Sequence, residues 1–428
     1  MRSFPIAGLL VVSLVACRRS STPTPTPSAS ALASAAPAVS SAPVVVAPPR
    51  YASPIAAALR GDEVIVAGGR RGGGVTAGRH ALAGGGSSVI ELPPLDVGKP
   101  DDVDWIVAPS FVGLVVDIGP SVTGLFARDV GALSATSWAA ADSGACVAGG
   151  RVVSIARADG GIALVSRDEN GPVAGAAVPP GLASSLVCSP RGPVLVVDEG
   201  NQRVLRLAAE PPAQITLPDE DDEHGFWLAP TPSGELVAVR LGAHGLALRS
   251  WGTTLGAWQR SSAKIAKDAT LELAVATDSF VAIVLSRPVP SSRSSCDESD
   301  AVAELWVLDR ATAEARREGE RLERWGCGAE PGPFWGGIAG SSVVVSWPRG
   351  ASTACARLGV RWGGLGWAAT KGGPVKVTHE DAPADDFADA GCEGARCVVV
   401  ALSRAKEGTC FAASDIDAGD VGALVLSP

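Results

Sequence analysis

Eight short bursts of aliphatic, mostly β-branched residues punctuate this chain, each set among Gly, Pro, Asp or other turn-forming residues. They are Val64-Ile65-Val66, Gly113-Leu114-Val115-Val116, Val152-Val153-Ser154-Ile155, Val194-Leu195-Val196-Val197, Leu236-Val237-Ala238-Val239, Val281-Ala282-Ile283-Val284, Val343-Val344-Val345 and Val398-Val399-Val400. Bursts this short, bounded by turn residues, read as strands. Helical spacing of apolar residues is missing over most of the chain. The charge-rich stretch 311–325 is ambiguous, and the preceding Leu305-Trp306-Val307-Leu308-Asp309 fits a hairpin arm equally well.

Through the middle of the chain the bursts recur at intervals of roughly forty residues, with longer gaps towards both ends. Several are followed by a polar turn and a second strand-like segment, as in Val194-Leu195-Val196-Val197 leading to Arg203-Val204-Leu205-Arg206-Leu207. A unit of short strands repeating at this period is the signature of a β-propeller blade. The expected fold is therefore all-β, a propeller of seven or eight blades, with two smaller β domains as the alternative. Burial logic favours the ring, because each blade must cover both faces and closure leaves no long open edge. The segment running from Val194 through Asp198, Gly200-Asn201 and Arg203 to Arg206 resembles the NHL-repeat pattern. That resemblance spans one unit and implies turn-forming, non-catalytic roles for Asp198 and Arg203.

The amino terminus reads as an export signal over residues 1–16. Arg2 supplies positive charge, and residues 6–15 are apolar or small. Such a run is too short for a membrane-spanning helix, which needs roughly 20 residues. It ends in Leu14-Val15-Ala16-Cys17, which resembles the lipobox of bacterial lipoproteins. The resemblance implies diacylglycerol on the Cys17 thiol, cleavage before Cys17, and a permanent anchor through several acyl chains. Arg18 follows, not the aspartate that marks inner-membrane retention, so the outer membrane is the expected address. Residues 17–50, rich in Ser, Thr, Pro and Ala, form no core and are expected to act as a disordered tether. It would reach about 30 Å as a coil and about 100 Å if fully extended. The body is then 51–428.

A net charge of −9 argues against a nucleic-acid surface, which needs clustered Lys and Arg. With Cys17 lipidated, eight of the nine cysteines remain: Cys146, Cys188, Cys296, Cys327, Cys355, Cys392, Cys397 and Cys410. In an oxidising envelope an even number suggests disulfides, of which Cys392 with Cys397 is the closest in sequence and Cys296 with Cys327 a second possibility.

Catalytic signatures are sparse. No nucleophile elbow, zinc-protease helix or phosphate-binding loop occurs, and His80, His224, His244 and His379 read as solvated loop histidines, against a metal site or triad assembled from distant residues. The Gly-rich stretches 68–74 and 84–86 read as flexible loops. Asp219, Asp221 and Glu223 alternate within an acidic run and are candidate Ca²⁺ ligands, against a plain solvated loop. Eleven tryptophans against one tyrosine suit wedges between blades. The functional alternative is an aromatic binding platform, with Trp335, Trp362 and Trp367 in loops as candidates. The expected function is a tethered, non-enzymatic binding or scaffold module for an envelope protein, peptide or glycan, with no cofactor beyond that possible Ca²⁺. The rival is a hydrolase or lyase with its site at the ring's central channel.

Overall fold

The computed structural model describes Val44–Val45 and, between Ala52 and Leu426, the strands with many of their turns. Residues 1–43 and 46–51, the connections at 82–87, 91–101, 128–133, 208–212, 219–224, 291–299, 326–333, 349–360, 369–380 and 404–419, and several shorter stretches lie outside it. The described residues contain no helix and form eight antiparallel sheets.

Sheets 1 to 8 open with the strands Ala52–Arg60, Asp102–Val107, Ala140–Ala148, Ala183–Ser189, Gly225–Pro230, Thr270–Ala276, Trp335–Ala339 and Asp386–Glu393. Each opening strand packs against the opening strand of the next sheet, and that of sheet 8 packs against that of sheet 1. A closed inner ring of strands with each sheet meandering outwards is a β-propeller. One ring containing every sheet leaves no place for two separate β domains. Sheet 8 takes its outermost strand from the start of the chain: Val44 lies opposite Ala423 and Val45 opposite Gly422 on the strand Asp420–Leu426. These valines fall within the stretch expected as tether, where Val44-Val45-Val46 is the one β-branched run.

Every burst recognised in the sequence lies in the second strand of its sheet: Glu63–Gly69, Val112–Asp117, Arg151–Ala158, Gly192–Glu199, Leu236–Gly242, Phe280–Val289, Ser342–Pro348 and Arg396–Ser403. That strand has neighbours on both edges and, in the ring, a sheet against each face. Alternating side chains then enter two different layers, so the sequence runs apolar without alternation. In sheet 4, Val194 and Val196 join Leu228, Leu236 and Trp251 towards sheet 5. Leu195 and Val197 join Val153, Ile155 and Leu164 towards sheet 3. In sheet 6, Val281, Ile283 and Leu285 face sheet 5, while Phe280, Ala282 and Val284 face Val343 and Val345 of sheet 7. Each such side chain contributes about 1.5–3 kcal/mol by leaving water. Tryptophans fill these layers too: Trp105 between sheets 1 and 2, Trp251 between 4 and 5, and Trp306 between 5 and 6.

Two disulfides are described. Cys146–Cys188 joins the opening strands of sheets 3 and 4 across a Cα separation of 5.6 Å. Cys392–Cys397 closes the first hairpin of sheet 8 at 4.0 Å, the pairing expected from sequence proximity. Cys296, Cys327, Cys355 and Cys410 lie outside the described residues. The ambiguous stretch 311–325 forms the short strands Ala315–Arg317 and Glu323–Trp325, both on sheet 6. The NHL-like segment is the central hairpin of sheet 4, with Asp198 opposite Arg203.

Candidate functional site

At the ring's end that carries the turn between first and second strands, neighbouring sheets are sewn together by arginines. Arg191 in sheet 4 donates through Nη1 to the Trp251 carbonyl at 3.2 Å and to the Gly252 carbonyl in sheet 5. Arg310 in sheet 6 donates to the Thr277 and Asp278 carbonyls at 3.0 and 2.9 Å, to Ser250 Oγ at 3.2 Å, and to Glu235 of sheet 5. The Ser233 backbone N–H donates to Asp278 Oδ1 at 3.1 Å. Hydrogen bonding from the Ser233 hydroxyl, with help from its backbone N–H, Thr231 and Arg310, holds the Asp278 carboxyl below its ordinary pKa, against the opposing effect of burial. Across the ring closure, Arg396 of sheet 8 bonds Asp62 Oδ1 at 2.9 Å and the Gly61 carbonyl at 2.7 Å in sheet 1. Gly61 is in the left-handed region at φ 58°, which glycine adopts at no steric cost, and its N–H points to Glu393.

The opposite end of the sheet 5–sheet 6 interface is built differently. The fourth strand of sheet 5 is only Gln259–Arg260, so it cannot cover the outer part of sheet 6. An irregular segment crosses there instead, setting Ala263 and Ile265 against the shared apolar layer. Beneath it the second and third strands of sheet 6, Phe280–Val289 and Asp300–Asp309, are ten residues each, extended further by the pairing of Glu323–Trp325. The face of sheet 6 turned towards sheet 5 is apolar at Val281, Ile283, Leu285, Leu308 and Trp306. It then becomes charged at Arg287, Glu304 and Arg317. Between this face and residues 264–266 lies an open cleft of about 560 Å³.

Glu304 is 6% exposed, and its Oε1 accepts from Arg287 Nη2 and Arg317 Nη1, each at 3.2 Å. Among the described residues that line the cleft, two guanidiniums and the exposed Lys264 stand against one buried carboxylate, a net positive charge. Each guanidinium carries five N–H donors, and only one nitrogen of each reaches a protein acceptor among the described residues. Trp306 also lines the cleft, and its buried indole N–H has no acceptor among them. A buried donor left so costs about 1–3 kcal/mol. The described lining of the cleft is therefore richer in charged donors than in charged acceptors, a chemistry suited to holding an anion.

The candidates drawn from sequence are placed elsewhere. Trp335 is half-buried and opens the first strand of sheet 7, opposite Ser346, so it is not in a loop. Trp362 and Trp367 are likewise not in a loop but in the strand Arg361–Ala368, opposite Pro348 and Val343. Gly363, Gly364 and Gly366 gave that stretch its loop-like composition, and its pairing with Ser342–Pro348 overrides it. Gly68 and Gly69 end a strand and are not part of a loop. His244 is exposed in the turn before Gly245–Trp251. Cys17, Asp219, Asp221, Glu223, His224 and His379 lie outside the described residues. Among the described residues no group of three or more His, Cys, Asp or Glu converges as a metal site, and no helix is long and apolar enough to cross a membrane.

No protein-family model matches the chain, and no curated protein sequence matches it. Among solved structures, the chain is similar to the β-propeller domain of the Trilobed protease from Pyrococcus furiosus at 12% identity, covering 78% of this chain and 97% of that one with a TM-score of 0.45. It is similar to the Dos1 propeller at 13% identity, covering 87% and 91% with a TM-score of 0.49. A puromycin hydrolase structure aligns at 13% identity over 84% of this chain and 60% of that one, with a TM-score of 0.44. The class of this protein is a β-propeller, and that assignment rests on the strand pairing and the closed inner ring.

Proposed function

We propose that this protein is a lipid-anchored β-propeller of the bacterial envelope that binds a ligand, without turning it over, in the cleft between sheets 5 and 6. The observation that carries the binding role is the excess of donors there: Arg287, Arg317 and Lys264 line a cleft whose charged acceptor among the described residues is the already shared Glu304. A cleft of this volume falls in the range that holds small ligands or one end of a larger one. The sewn turns and packed layers on either side supply a rigid frame. The anchor rests on the leader and the Leu14-Val15-Ala16-Cys17 motif, and the outer membrane is the proposed address.

A photoreactive residue replacing the exposed Lys264 should form a discrete crosslinked adduct in intact cells, and one replacing the exposed Arg151 in sheet 3 should not. Equal crosslinking from both positions, or none from either, would refute the cleft as the binding site. Cys17→Ala should abolish fatty-acid labelling and release the chain from membranes. Labelling that survives the substitution would remove the anchor from the proposal.

A further inference from the structure

We infer that the ligand of this cleft is a carboxylated carbohydrate, a uronic-acid sugar held by Arg287 and Arg317. This deepens the binding role proposed above and rests on it. Glu304 shows the fit from inside the protein: a planar carboxylate already lies between the two guanidiniums, accepting from both at 3.2 Å. Arg317 has a half-exposed side chain and Arg287 a largely buried one, so the pair runs from the floor of the cleft to its mouth. Their remaining nitrogens can take a second carboxylate in the bidentate geometry that guanidinium favours. Lys264 at the rim offers a further cation.

The acid group accounts for the cations. The sugar ring accounts for the donors left over on Arg287, Arg317 and Lys264, because its hydroxyl and ring oxygens are acceptors. A cleft of about 560 Å³ has room for one or two such rings. An acidic peptide cannot dock here by strand addition, which needs a free strand edge to pair with. The outer edge of the third strand of sheet 6 is already paired, by Ala315–Arg317 over one part and Glu323–Trp325 over another. Those two covering strands have only three residues each.

The test is calorimetric titration of the full-length chain in detergent with trigalacturonic acid, with neutral galactotriose and with tetraglutamate. Trigalacturonic acid should bind, and more weakly as salt is raised. Galactotriose and tetraglutamate should each bind about tenfold more weakly or worse, the loss expected for a missing or misplaced charge-assisted hydrogen bond. Arg317→Gln, at the solvent-exposed mouth, should weaken trigalacturonic acid by about the same factor while the thermal midpoint stays put. Galactotriose binding equally well, tetraglutamate binding more tightly, or an Arg317→Gln affinity equal to that of the native chain would each overturn the inference. If no acid binds while crosslinking from position 264 persists, the ligand class is wrong and the binding site stands. If crosslinking is absent as well, both fall.

Discussion

The two ends of the interface between sheets 5 and 6 use arginine in opposite ways. At the turn end, Arg310 gives both terminal nitrogens to acceptors: two carbonyls, a hydroxyl and Glu235, with its Nε alone lacking one. At the cleft end, Arg287 and Arg317 share a single carboxylate oxygen. The same apolar layer lies between them, built from Val239, Leu241, Ile283 and Leu285. What separates a staple from a site here is the balance of acceptors to donors. Where the backbone supplies carbonyls, arginine joins two sheets. Where a short fourth strand withdraws them, it keeps capacity for something else.

Four substitutions would break or sharpen that division. The largest effect should come from Ile283→Ala in the shared layer, whose side chain is fully buried. A loss of about 2–5 kcal/mol in urea unfolding is expected, from lost burial and the cavity left behind. Arg310→Ala should come next, costing about 2 kcal/mol with the affinity of the cleft unchanged. Arg317→Gln should cost under about 1 kcal/mol, because its side chain is half exposed, yet it should be the variant that loses ligand. If Arg317→Gln destabilises more than Arg310→Ala, or Arg310→Ala impairs binding, the two ends do not have separate roles.

The smallest effect belongs to Asp278 and appears only in acid. Its pKa is lowered in the folded chain by the Ser233 hydroxyl and the groups around it. A lowered folded value means the stabilisation is fully present above the carboxylate's unfolded pKa. It is lost as pH falls through the folded one. Asp278→Asn should therefore flatten stability against pH in the acid range and leave its slope near neutrality alone. A native profile as flat as the variant's would show that the turn end does not depend on this carboxylate.

The fold was legible because the second strand of each sheet is buried on both faces. Val194-Leu195-Val196-Val197 or Val281-Ala282-Ile283-Val284 has no polar face to hide it, and its recurrence announced the ring. Opening strands were harder to see: Trp335–Ala339 and Ala183–Ser189 are rich in small or polar residues and carry no aliphatic run. The outer strands Gln259–Arg260 and Ala315–Arg317 are too short to leave a pattern. The closing strand was invisible inside a Pro- and Ser-rich stretch. The cleft could not be read at all, since its groups come from positions as far apart as Lys264 and Arg317 and meet only through the register of a long hairpin. One trace was present. Glu304 and Trp306 alternate with Ala303 and Leu305 in an apolar strand, a charged residue set where burial was expected.

The closing strand has a mechanical consequence. Residues 1–43 join the ring at Val44, and Val44–Val45 is the outermost strand of sheet 8, three strands away from the inner ring. Tension applied through the residues that precede Val44 would first load this pairing. The strand Asp420–Leu426 stays held by Arg396–Ser403, and the contact between the opening strands of sheets 8 and 1 is untouched. Load arriving along the chain from that side would thus fall first on the periphery of sheet 8, several sheets away from the cleft on sheets 5 and 6.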